Sequence, residues 1–183
     1  MIDTQGKLLV APPGMPDWRF QKTVVYMWRH DVSGAAGVII NKPCTHPTFT
    51  HVCKEGGVAR KDGVDPQIFY GGPVLNNLIG VLHSKDFMLG STNTDKVQPL
   101  AFTLDKKILD IIAQGDGPKE KLITLGMSNW EQGQLEAELD ATPPRKANMS
   151  WLVIPYDYEL VFGPKREDMW EMCVSRAVQN TTT

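Results

Sequence analysis

His83 closes the apolar run "LIGVLHS" with Ser84 beside it, a proton acceptor next to a hydroxyl. Histidine is the side chain whose ordinary titration spans neutral pH, which suits it to general acid–base work. Adjacent residues of a strand face opposite sides, however, so His83 cannot activate Ser84 directly if both lie in a strand. The chain also has no G-x-S-x-G nucleophile elbow. A carboxylate could come from "GQLEAEL", where Glu136 is the candidate. An enzyme of hydrolase type would need His83 and Glu136 within about 3 Å of each other or of one shared water. The plainer roles are a hydrogen-bonded core histidine and a helix cap or salt bridge.

A second set lies in "CTHPTFTHVC", where Cys44, His46, His51 and Cys53 form a symmetric C-x-H-x4-H-x-C pattern. These are ligand types that zinc prefers. Structural zinc sites more often carry C-x2-C knuckles, and helical neighbours two apart diverge by about 200°. No metal and no cofactor is therefore expected.

The third feature is a corner, Gly71-Gly72-Pro73, set between the apolar runs "QIFY" and "VLNNLIGVLHS". Glycine permits backbone angles closed to other residues, and proline fixes its own φ and lacks an N–H. Such a corner either presents N–H groups to an anion or lets two segments pass closely. No G-x-x-x-x-G-K-[ST] occurs, so it is not a P-loop.

These residues sit in an ordinary globular composition: 42% apolar, 22% charged, over 183 residues. One domain is expected over 1–179, with a fraying tail at 180–183. The net charge of -2 and the lack of a basic run argue against direct nucleic-acid binding. No stretch reads as a membrane span or targeting segment, and three cysteines are too few for a disulfide framework. A cytoplasmic protein is expected.

Strands are expected at "KLLVA", "KTVVYMWRH", "AAGVIINKP", "QIFYGG", "LIGVLHS", "EKLITLG" and "WLVIPYD", with weaker ones at "FMLGSTNT" and "VQPLAFT". "TFTHVCKEGG" suits a short helix capped by Thr48 or Thr50. "LDKKILDIIAQG" repeats Leu104, Ile108, Ile111 and Ile112 at helical spacing. "SNWEQ" reads as a loop, "EQGQLEAELD" as helical in its second half with the helix opening near Gly133, and "PKREDMWEMCVSRAV" as a closing helix with Pro164 in its first turn. Strands and helices mix without strict alternation, which predicts an α+β fold.

Four stretches together resemble the bacterial YqgE/AlgH family: "GKLLVAPPGMPDWRFQKTVVYMWRHDVSGAAGVIINKP" (6–43), "IFYGGPVLNNLIGVLHS" (68–84), "ITLGMSNWEQGQLEAELD" (123–140) and "WLVIPYDYELVFGPKREDMW" (151–170). In order and spacing they cover most of the chain. The resemblance implies a single α+β domain with a strongly curved, bifurcated, mixed or antiparallel sheet like an incomplete barrel, helices outside. It implies no established activity; the family's transcriptional-regulator label descends from a genetic phenotype, not from a DNA-binding motif. Arg29 stands where the family usually has an acid, Asn129-Trp130 replaces its Gly-Trp, and "TPPRKANM" (142–149) is insertion-like.

The leading expectation is a non-catalytic binding or regulatory module for an unidentified protein or small-molecule partner. Its groove would gather Met15, Pro16 and Trp18 from one loop, Asn41 from a strand end, and Gly71, Gly72, Pro73 and His83 from the corner and its strand. Trp130, Gly133, Gln134 and Glu136 would complete it from a fourth segment. Trp130 is expected mainly as an anchor, whereas Trp18, beside Arg19 and Lys22 in a proline-bounded loop, is expected to be exposed.

Overall fold

The computed structural model describes residues 2–94, 98–140, 147–165 and 167–182. Eight strands form one sheet: β1 Leu8–Val10, β2 Val24–Asp31, β3 Gly34–Ile39, β4 Ile68–Tyr70, β5 Val74–His83, β6 Ala101–Thr103, β7 Lys121–Glu131 and β8 Leu152–Ile154. Among the described residues five α-helices surround it: α1 Phe49–Glu55, α2 Lys107–Ala113, α3 Gln134–Leu139, α4 Tyr158–Phe162 and α5 Met169–Thr181. The order is β6-β5-β7-β3-β2-β1-β8, with β4 pairing β7 off this path. The fold is thus mixed α+β with an open sheet, mostly antiparallel; β4 and β7 run parallel.

The sheet divides at β7. Its first half lies between β5 and β4, with Ile79–His83 opposite Leu125–Lys121 and Ile68–Tyr70 opposite Ile123–Leu125. Its second half pairs with β3 instead, Gly34 to Gly37 opposite Glu131 to Ser128. The alternation of the pleat then fills two faces. Leu8, Val10, Val24 and Tyr26 pack on one face with Met169, Cys173 and Ala177 of α5. Leu9, Val25 and Met27 pack on the other with Trp130, Leu135 and Trp151. Beneath α1 and α2, Phe49, Cys53, Ile108 and Ile112 meet Ile68, Val81 and Ile123 in a third cluster.

Glycines hold the fork together. The Gly71 N–H donates to the Leu125 carbonyl at 2.8 Å, and its carbonyl accepts from Ile39 N–H at 2.9 Å and Ser128 Oγ at 3.1 Å. A Cβ on Gly71 would lie 2.3 Å from the Gly126 carbonyl oxygen, and one on Gly126 2.5 Å from that of Gly72. The corner is therefore a close crossing of backbones, the simpler of its two expected roles.

Several elements depart from the sequence expectation. "SNWE" continues β7 to Glu131, because Trp130 and Ser128 are buried opposite Ala35 and Gly37. α3 does open from Gly133 as expected, whose φ of 76° makes the turn. "FMLGSTNT" contributes only the bridge Asn93–Phe102. α4 was not expected; Asp157 caps it by accepting from Leu160 N–H, and α5 begins at Met169, leaving Pro164 between the two helices. Thr181 remains helical, two residues past the expected domain end at 179. Residues 142–146 of the insertion-like stretch lie outside the described residues.

Gly72 has φ +148°, and a Cβ there would meet Met127 C and O at 2.3 Å. Gly72→Ala is expected to lower urea-denaturation stability by about 3 kcal/mol or more, since strain and backbone overlap add. Gly57→Ala, at φ +66° in open space, is expected to cost about 1 kcal/mol.

Candidate functional site

Three of the four segments expected to form a groove do meet. The loop 11–23 folds as a 3₁₀ turn, Trp18–Phe20, capped by Asp17, which accepts from Arg19 N–H. The Arg19 guanidinium closes back on the Asp17 carboxylate at 2.7 Å, holding that carboxyl below its usual range. Trp18 is left 79% exposed. Behind it Asn41 fastens the loop to the end of β3: its Oδ1 accepts from Val24 N–H at 2.8 Å and its Nδ2 donates to the Lys22 carbonyl at 2.9 Å. Tyr70 N–H bonds the Lys42 carbonyl at 2.8 Å, which brings the glycine corner alongside.

Two hollows flank this meeting point. Trp18, Arg19, Tyr70, Pro73, Asn76 and Leu125 line a cleft of about 380 Å³. Lys22, Asn41, Lys42, Pro43, Lys165 and Trp170, with Glu167 and Glu171, line a cavity of about 260 Å³. Leu75, at φ 51° and 54% exposed, and Val74 carry apolar surface on from the corner. Met15 is buried and Pro16 exposed on the same loop. Gly71 and Gly72 are buried and serve the crossing rather than the cleft wall.

The fourth segment joins from beneath only. Trp130 is buried, with its ring 6.1 Å from Phe20 and 5.9 Å from Trp151. Both indole N–H groups donate to the same oxygen, Glu138 Oε2, at 3.0 and 2.8 Å. Gln134 also donates to Glu138, at 3.1 Å, and accepts from Glu131 N–H. Gly133, Gln134 and Glu136 stand at the Glu131 end of β7, outside both hollows.

The pairing of His83 with Glu136 is overturned. His83 stands opposite Lys121 at the start of β7, whereas Glu136 follows Glu131 at its end, about 30 Å away along an eleven-residue strand. His83 is wholly buried: Nδ1–H donates to the Ser84 carbonyl at 2.9 Å, and Nε2 accepts from Thr103 Oγ–H at 2.8 Å. Burial lowers its pKa and favours this neutral form. The partner of Glu136 is His30, Nε2 to Oε1 at 3.1 Å, with Nδ1 accepting from Thr4 N–H at 3.2 Å. The Glu136 carboxyl is lowered first by its own backbone N–H and then by His30. Both ring nitrogens of both histidines are engaged, so neither has one free to take a substrate proton.

Cys44, His46, His51 and Cys53 do not converge either. His46 and His51 meet edge to face at 4.6 Å on the surface, while Cys53 is buried on the inner side of α1. Among the described residues no three His, Cys, Asp or Glu side chains gather as a metal site. Arg29 pairs with Asp31 at 3.1 Å in the β2–β3 turn, where Ser33 bonds hold the Asp31 carboxyl at about 2. Sequence reasoning missed Tyr70, Asn76, Lys42 and Lys165; for Lys42 and Tyr70 the signal lay in register, which puts residues 42, 70 and 125 side by side.

A family model described as AlgH-like matches residues 8–181. The chain belongs to the AlgH-like family. AlgH-like relatives include "UPF0301 proteins" from Jannaschia sp., 38% identical over 94% of this chain and 87% of the relative, and from Methylocella silvestris, 34% identical over 93% and 84%. The solution structure of the AlgH protein from Pseudomonas aeruginosa superposes with TM-score 0.75 at 30% identity, covering 96% of this chain and 92% of that one. A crystal structure from Corynebacterium diphtheriae shares the fold, with TM-score 0.66 at 19% identity over 96% and 88%. Among the described residues no helix is long and apolar enough to cross a membrane.

Because the folded state lowers the His83 pKa, the unfolded chain takes up its proton first as pH falls. Stability attributable to His83 is therefore complete above about pH 6.5 and declines below it. His83→Gln is expected to be less stable at pH 7.5 by about 2 kcal/mol but to show a flatter acid limb, read from urea midpoints between pH 5 and 7.5.

Proposed function

We propose that this protein is a cytoplasmic, non-catalytic binding module whose recognition surface is the cleft between Trp18 and Pro73, and that its partner is another protein. The observation that carries the reading is Trp18: a large indole, 79% exposed, on a turn made rigid by its Asp17 cap and the Arg19–Asp17 pair. An exposed tryptophan beside an arginine and a half-buried tyrosine is the composition of interface hot spots. Leu75 and Val74 extend the apolar area, and Asn76 adds a polar group at the rim. Rigid presentation lowers the entropy lost on association. The three free cysteines suit a reducing compartment, and the net charge of -2 gives no drive toward a nucleic-acid backbone.

Trp18→Ala is expected to fold with an unchanged melting temperature, because the side chain packs little. Recovery of the partner in a quantitative pull-down should fall at least tenfold, the scale of a hot-spot truncation. Leu75→Ala should give a smaller loss. Partner recovery equal to wild type in Trp18→Ala would refute the assignment.

A further inference from the structure

The cavity behind the cleft brings together three amines from three separate segments. Lys22 precedes β2, Lys42 follows β3, and Lys165 lies between α4 and α5. Lys22 and Lys165 are held by groups other than a carboxylate. Lys22 sits at φ 56°, a backbone strain maintained by the Asn41 amide on its carbonyl, and its Nζ lies 5.8 Å from the Trp170 ring centre. Trp170 is fixed in turn by its indole N–H on the Ala11 carbonyl at 2.8 Å. Lys165 Nζ donates to the Leu160 carbonyl at 2.8 Å and to the Val161 carbonyl, and lies 5.6 Å from the Phe69 ring centre. Among the described residues none of the three amines has a carboxylate within ion-pairing distance.

Lys22 is exposed, whereas Lys42 and Lys165 are half-buried; a cation drawn out of water without a counter-charge is unfavourable, and proteins normally pair it. Glu171 and Glu167 line the rim and are exposed; Glu171 attracts Lys42 through space, but neither carboxylate forms an ion pair with the three amines. From this arrangement we infer that the cavity is a binding site for a small phosphorylated or carboxylated molecule, whose anionic group takes the missing counter-charge among Lys22, Lys42 and Lys165 while Trp170 and Pro43 cover its less polar part. A volume of about 260 Å³ fits a metabolite of modest size rather than a polymer. Burial lowers the Lys165 pKa to about 8, and burial followed by repulsion from Lys22 lowers that of Lys42. A bound anion would reverse both trends. The site shares no lining residue with the Trp18 cleft and does not depend on the protein-binding reading.

Pyridoxal 5′-phosphate tests the cavity on the intact chain, since its phosphate reads the anion site and its aldehyde reads a lysine of lowered pKa. The unprotonated Lys165 nitrogen adds to the aldehyde carbon, water leaves, and borohydride delivers hydride to the imine, fixing a secondary amine for peptide mapping. Lys165 is expected to be labelled at least fivefold above the surface lysines. Protection by inorganic phosphate or pyrophosphate, at constant ionic strength, identifies a phosphate site; protection by acetate or citrate alone identifies a carboxylate site. Lys42→Met should weaken that protection about tenfold, and Glu171→Gln should strengthen it about threefold, with melting temperatures checking each fold. Label spread evenly over the lysines, absence of protection by either class of anion, or protection unaltered in Lys42→Met would each overturn the assignment.

Discussion

The architecture depends on a crossing of backbones that tolerates no side chain. At Gly71, Gly72 and Gly126 three segments come within hydrogen-bonding distance at the point where the sheet divides. Gly71 alone serves the first half of β7 through Leu125, β3 through Ile39, and the second half of β7 through Ser128. Without that junction β7 could not exchange partners from β5 and β4 to β3. The open, divided sheet is the geometric result, and the cleft and the cavity are hollows on its flank.

Around the junction, polar groups fix position. Glu138 gathers two indole N–H groups and the Gln134 amide, joining α3 to β7 and β8. Asn41 ties the Trp18 loop to β3, and His30 ties the N-terminal segment to Glu136. A buried carboxylate or imidazole with every partner in place is rigidifying, whereas one with a vacancy is poised to react. In the lysine cavity, by contrast, three amines gather and none is ion-paired among the described residues.

Much of this was legible in the sequence, and the failures have physical causes. Continuous apolar and β-branched runs gave β1 to β3, and a threonine cap, Thr48 of the two candidates, gave α1, because both signals are local. "SNWE" was misread because Ser128 and Asn129 have turn-like chemistry; burial against Ala35 to Gly37 overrides that propensity. α4 is only five residues long and rests on its Asp157 cap, too little periodicity to detect. Trp18 was identifiable as exposed because prolines bound its loop. Lys165 was not legible because part of its setting comes from Phe69, which no local pattern brings near it.

Hydrogen exchange resolved by residue examines the junction most directly. If the glycine crossing supports the divided sheet, the amides of Ile39, Tyr70 and Gly71 should exchange only through global unfolding, at the same free energy as Val25 and Tyr26 in the central strands. Exchange of those three through a local opening, several kcal/mol easier than that of Val25 and Tyr26, would mean that the sheet stands without the crossing, and the glycine junction could not be what holds the fold.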